Sequence, residues 1–273
     1  MEGGIFQSLL FVPGTRADRF PKALASGADF VCIDLEDAVP ADEKAAARAT
    51  ALAALGNPRL ALRINGLTTA AGLADLVALS EAAAKPALLL VPKVEHAAEI
   101  AILRGVLGER LPGVVPLIET VAGLRSAPAI GREAGVAALM FGGADFAAEL
   151  GVDLAWEPLF YARSTLVAAA AEAGVPAIDV PWIALDDTAG LEAECRRAKA
   201  LGFAAKAAIH PAQIAGIHAV FRPTDAEIAE AVEALAVFAA AGGAAVRHRG
   251  RMLEAPIIRR HQRTIELKGL INA

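Results

Sequence analysis

The chain has 273 residues, 56% of them hydrophobic and 21% charged, with a formal net charge of −5. This length and balance give enough apolar residues for one large core, exclude a disordered chain, and offer no basic nucleic-acid surface. Two cysteines, Cys32 and Cys195, are too few for a disulfide framework and suit a reducing cytoplasm.

Neither a basic-then-apolar leader nor an uncharged run near the ~18 residues of a membrane span is present, so no membrane association is expected. In chain order, short apolar runs alternate with alanine-rich amphipathic segments. Strands are expected at 9–12, 30–35, 60–64, 87–91, 114–118, 137–141, 177–180 and 204–209. Thr15, Asp42, Thr120 and Asp187 stand where they would cap the first, second, fifth and seventh helices. An extra or extended helix is expected over 159–173. Repeated strand–helix alternation predicts an α/β fold, a closed parallel (β/α)8 TIM barrel over residues 1–222. An open doubly wound sheet competes, but the first turn, Pro13-Gly14-Thr15-Arg16, lacks its glycine-rich fingerprint. Residues 223–273 form a C-terminal helical extension: a helix over 224–241, a break at Gly242-Gly243 and a last segment over 249–270. This extension suits a lid or a subunit-contact arm. Its arginines, Arg247, Arg249, Arg251, Arg259, Arg260 and Arg263, read as a solvated helix face.

Catalytic groups of a parallel barrel sit at the C-terminal ends of its strands. Here those ends read Asp34-Leu35-Glu36-Asp37, Arg63-Ile64-Asn65, Pro92-Lys93, Ile118-Glu119, Gly142-Gly143-Ala144-Asp145 and Ile209-His210-Pro211. Alternation along a strand puts Asp34 with Glu36, and Arg63 with Asn65, on common faces. Glu119 and Asp145 come from neighbouring strands and are candidate ligands of one hard divalent cation such as Mg²⁺. Arg63 offers a planar fork for a carboxylate, so a small 2-oxo or 2-hydroxy acid is the expected guest. Arg16 and Arg19, in the first turn of the first helix, suggest a phosphate-bearing ligand near Arg16 and Lys22, against which stands a surface ion pair of Arg16 with Asp18.

The ordered set Leu10-Phe11-Val12-Pro13-Gly14-Thr15-Arg16, Asp34-Leu35-Glu36-Asp37, Arg63-Ile64-Asn65, Leu117-Ile118-Glu119-Thr120, Phe141-Gly142-Gly143-Ala144-Asp145 and Ile209-His210-Pro211 resembles the HpcH/HpaI aldolase/citrate lyase family, in its citrate lyase β-subunit-like branch. The resemblance covers nearly the whole chain. It implies an Mg²⁺-dependent carbon–carbon lyase that cleaves or forms a 3-hydroxyacyl-CoA, such as malyl-, citramalyl- or citryl-CoA, with a 2-oxo acid and a CoA thioester as the other partners. It implies Glu119 and Asp145 as metal ligands and Arg63 and Glu119 on the small acid. It places the CoA near Arg16, Lys22, His210 and Pro211; Glu36 and Asp37, at the end of the second strand, are further catalytic candidates. A homotrimer or homohexamer is implied, with a lid acid matching Glu254, where the family usually carries aspartate. Two other readings stay open: an aldolase acting on a free 2-oxo acid without CoA, and a citrate lyase β subunit active only with an acyl-carrier partner.

Overall fold

The computed structural model describes residues 6–271, with side chains described as far as Leu267. Phe6–His218 forms one compact unit and Ala219 onward belongs to another. Among the described residues no helix is long and apolar enough to cross a membrane.

The first unit alternates strands and helices: β1 (Ser8–Pro13), α1 (Phe20–Leu24), β2 (Phe30–Asp34), α2 (Lys44–Ala54), β3 (Leu60–Arg63), α3 (Ala70–Glu81), β4 (Leu88–Val91), α4 (Ala97–Leu107) and β5 (Gly113–Ile118). It continues through α5 (Val121–Gly131), β6 (Leu139–Phe141), α6 (Gly143–Leu150), α7 (Trp156–Ala173), β7 (Ala177–Asp179), α8 (Thr188–Leu201), β8 (Ala205–Ala208) and α9 (Gln213–Phe221), the last running into the second unit. The eight strands close into a barrel in sequence order. Every neighbouring pair is parallel, and β1 completes the ring against β8 through Ser8 opposite Lys206. This is the (β/α)8 architecture that the sequence predicts.

The ring closes around a cluster of buried apolar side chains. Leu9, Cys32, Ala61, Leu90, Leu117, Met140, Ile178 and Ala207 are among the buried residues of one interior cluster. The next residue along each strand points outward to the helices, as with Leu10, Ile33, Leu62 and Leu89, all nearly inaccessible. Both faces of these strands are therefore apolar, the pattern of a parallel sheet covered on each side.

Two of the expected caps are correct. Thr120 accepts from Gly123 N at the start of α5, and Asp187 from Gly190 N at the start of α8, each at hydrogen-bond distance. Asp42 does not cap α2, because Glu43 takes the N-cap position in an already helical conformation with no side-chain bond. Thr15 does not cap the first helix either: a 3-10 turn over Ala17–Arg19 comes first, with Arg16 at its N-cap position. The expected extra helix is present and longer, as α7, and a short helix α6 precedes it.

The second unit contains α10 (Asp225–Ala240), capped by Thr224 in a reciprocal box with Glu227. A hairpin of β9 (Val246–His248) and β10 (Arg251–Leu253) follows, then α11 (Ala255–Ile271), which packs on α10.

Candidate active site

The interior parity of the barrel carries straight to its mouth. Two residues beyond Cys32, Ala61 and Leu117 lie Asp34, Arg63 and Glu119, so the alternation that buries the first three aims the second three into the opening. All three line a cavity of about 420 Å³, together with Phe11, Asp37, Met140, the Phe141–Asp145 turn, Val180, Pro181 and Ile209. The site is thus built from the ends of β1, β2, β3, β5, β6, β7 and β8.

Arg63 anchors one side. Its Nε and Nη2 donate to the two carboxylate oxygens of Asp34 at 2.6 and 2.7 Å, a forked pair. Its Nη1 lies 2.7 Å from Glu36 Oε2, off the angle of a hydrogen bond, and 3.6 Å from Asp37. The guanidinium also sits 5.0 Å over the Phe11 ring. Burial works against this charge, but the bond and proximity to Asp34 and the nearby Glu36 outweigh it, so its pKa stands above the ordinary arginine value. The loop carrying Glu36 is tied down from behind: Lys44 Nζ donates to the carbonyls of Leu35 and Glu36, each at 2.9 Å. Asn65 does not share the face of Arg63 as expected. β3 has ended, and Asn65 turns back to donate to Leu35 O at 3.0 Å and to buried Asp75 at 2.7 Å.

Glu119 anchors the other side. Its Oε2 accepts from Lys93 N at 3.0 Å. Lys93 Nζ donates to Glu36 Oε1 at 3.0 Å and stands 3.6 Å from Asp145 Oδ2, in the first turn of α6. Burial, then the like charges of Glu36 and Asp145, push the Glu119 carboxyl up to about 8 against the pull of Arg63 and Lys93. Burial also raises Glu36, against the same two cations. Arg63 is held by Asp34 and lies beside Glu36, while Lys93 is the cation that reaches Asp145. Burial first, and the neighbouring carboxylates second, disfavour a charged Glu119, a penalty that a cation bound beside it would relieve. Gly142 makes room for this arrangement, since a Cβ there would collide with Glu119 Cγ. Two carboxylates from adjacent strands facing one cavity, in acid-rich surroundings, fit a hard divalent cation that keeps its other positions for water and substrate. No group of three or more His, Cys, Asp or Glu that could hold a metal ion occurs among the described residues.

Sequence reasoning named the polar strand ends but gave Lys93 no role and could not show the apolar wall of Phe11, Phe141, Val180 and Ile209. A second cavity of about 370 Å³ shares Phe11, Pro13 and Ile209 with the first and extends to Arg19, Lys22, His210 and Pro211. Arg16 is not on its wall: Arg16 is paired with Asp18 at 2.8 Å on the surface. Arg19 occupies the place beside Lys22 instead. Glu254 lies in the other compact unit, exposed, with its carbonyl accepting from Ile258 N at the start of α11.

A closed parallel barrel with carboxylates and an arginine gathered at the carboxyl ends of its strands defines the class: a barrel enzyme working at the mouth. Within that class the chain belongs to the HpcH/HpaI aldolase/citrate lyase family, which matches residues 7–211, and it is a lyase. It is 33% identical to the L-malyl-CoA/beta-methylmalyl-CoA lyase of Cereibacter sphaeroides (strain ATCC 17025 / ATH 2.4.3), over 97% of this chain and 95% of that one. It is 37% identical to the citrate lyase subunit beta-like protein of Deinococcus radiodurans, over 93% and 94%. Among solved structures, protein CitE from Mycobacterium tuberculosis in complex with magnesium, acetoacetate and coenzyme A superposes with a TM-score of 0.84 at 32% identity, covering 97% of this chain and 98% of that one.

Proposed function

We propose that the chain reversibly cleaves a carboxylate-bearing 3-hydroxyacyl-CoA, such as malyl-CoA or citramalyl-CoA, into a CoA thioester and a 2-oxo acid, with Mg²⁺ held by Glu119 and Asp145. The observation that carries this reading is the buried, charge-crowded Glu119 facing the same cavity as Asp145 and Arg63. The relative named as a malyl-CoA lyase and the CitE structure with magnesium and coenzyme A support it.

When bound, the ion supplies Lewis-acid polarisation of the oxygen that becomes the keto group. The protein does the rest. Arg63, locked by Asp34, presents its remaining N–H groups to the substrate carboxylate and to the charge developing beside it. Asp37, exposed on the cavity wall, accepts the proton of the substrate hydroxyl. The carbon–carbon bond then breaks, its electron pair passing to the thioester as an enolate. A carboxylic acid protonates that carbon, a role proposed for Glu254 of a neighbouring subunit in a trimer or hexamer. The apolar walls of Phe11, Phe141 and Val180 exclude water from the cleavage step. Because the two cavities share Phe11, Pro13 and Ile209, an acyl group in the first leads directly to a pantetheine and phosphates in the second, beside Arg19 and Lys22.

The test is Glu119→Gln in the full chain, assayed for 2-oxo acid release from malyl-CoA and citramalyl-CoA with Mg²⁺. Removing a ligand and a charge at the reacting oxygen should lower kcat/KM by about 100-fold or more. Unaltered cleavage would reject the assignment, and wild-type activity appearing only after addition of an acyl-carrier protein would replace it with the carrier-dependent reading.

A further inference from the structure

Lys93 follows β4 at the barrel mouth and touches carboxylates there without lining either cavity. Its φ is 54°, in the left-handed region that a residue with a Cβ seldom adopts. Such outliers persist where surrounding contacts hold them, and here both ends of the residue are held. The main-chain N–H donates to Glu119 Oε2 at 3.0 Å. The side chain reaches Glu36 at 3.0 Å and Asp145 at 3.6 Å.

Those two ion pairs are unequal. Glu36 is buried and hydrogen-bonded to the ammonium, so separating them would strand a charge. The Asp145 side chain is 42% exposed and the contact is longer, so solvent screens it and it exchanges readily.

We propose that Lys93 is a positioning residue, a resident counter-cation that keeps Asp145 beside Glu36 and yields it to the divalent ion while its N–H keeps Glu119 aimed. The proposal rests on the reading of Glu119 and Asp145 as metal ligands. It makes the ammonium and the metal rivals for one carboxylate. Removing the ammonium should therefore tighten metal binding and at the same time slow turnover, because Asp145 is no longer held in register. A purely structural lysine would weaken both.

The test uses the full chain and its Lys93→Met, Lys93→Arg and Glu119→Gln variants, with Mn²⁺ as the probe. Free Mn²⁺ is followed by electron paramagnetic resonance, folding by circular dichroism, and kcat and KM with malyl-CoA. Lys93→Met is expected to bind Mn²⁺ about tenfold more tightly, as loss of a nearby like charge requires, and to lose about fivefold or more in kcat with little change in KM. Lys93→Arg keeps the charge and should stay within about threefold of wild type in both. A folded Lys93→Met protein that binds Mn²⁺ as wild type does, or more weakly, overturns the proposal. If Lys93→Met loses the native spectrum, Lys93→Gln carries the same expectation and the same contrary result. Glu119→Gln separates the two readings. If it abolishes Mn²⁺ binding while Lys93→Met changes nothing, the role of Lys93 alone fails. If wild type binds no Mn²⁺, or Glu119→Gln binds it unchanged, the metal site and the role of Lys93 fall together.

Discussion

Gly142 shows how much of the site depends on a side chain that is missing. Its φ of −95° suits any residue, so glycine is required here by space rather than by backbone freedom. A methyl group would meet Glu119 Cγ and the carboxyl group beyond it. Gly142→Ala should cost about 1–3 kcal/mol of stability and, more tellingly, weaken divalent-cation binding by about tenfold or more as Glu119 is displaced. Isothermal titration with Mg²⁺ checks this; wild-type affinity in a folded Gly142→Ala protein would remove Glu119 from the ligand set. At this scale the sequence was legible only in part. Asp34 and Arg63 follow from period-two alternation within strands, and Glu119 continues it one residue past β5. Asn65 did not, because alternation stops where β3 stops. Lys93 could be seen at a strand end, but nothing in its neighbours announces a left-handed backbone.

Between elements, the largest hidden feature is a buried ionic network joining α7, α8, β7 and β8. Lys206 Nζ donates to Asp179 at 2.6 Å, to Glu194 at 2.7 Å and to Val180 O at 2.7 Å, and Arg163 Nε donates to Asp179 at 3.0 Å. Arg163 also stacks over Trp156 and Phe141, the second of which lines the active-site cavity. Burial raises the Asp179 carboxyl, but the Lys206 and Arg163 charges outweigh it and hold it below the usual range. Lys206→Met would leave Asp179 and Glu194 short of a partner in a dry layer, and should destabilise the barrel by about 3–5 kcal/mol. Thermal unfolding measures this; a shift below about 1 kcal/mol would mean that the layer admits water. Lys206 sits in a strand of alanines, and because Ala205 and Ala207 face the interior, it points out to the helices. The strand was readable, but its polar partners come from distant segments, which no local pattern reports. The β9–β10 hairpin was missed for a different reason. Its strands are three residues each, and its turn, Arg249-Gly250, takes positive φ at both positions without the Asn-Gly signature that marks such turns.

For the molecule as a whole, the fold was the most legible property, because eight rounds of apolar run and amphipathic segment leave few topologies open. The mouth chemistry then follows from the geometry of a parallel barrel, which collects every strand's carboxyl end on one rim. Where the mouth carboxylates stand is a matter of a few ångströms, set by Gly142, by the Lys93 amide and by the forked Asp34–Arg63 pair rather than by any spacing in the chain. The proposed lyase chemistry requires Glu119 and Asp145 to hold one divalent cation between them. The most direct measurement is an anomalous-difference map from crystals grown with Mn²⁺ and a 2-oxo acid. One peak is expected within about 2.0–2.3 Å of an oxygen of each carboxylate; a peak held by other residues, with Glu119 and Asp145 bound only to protein, would contradict the shared-ion site.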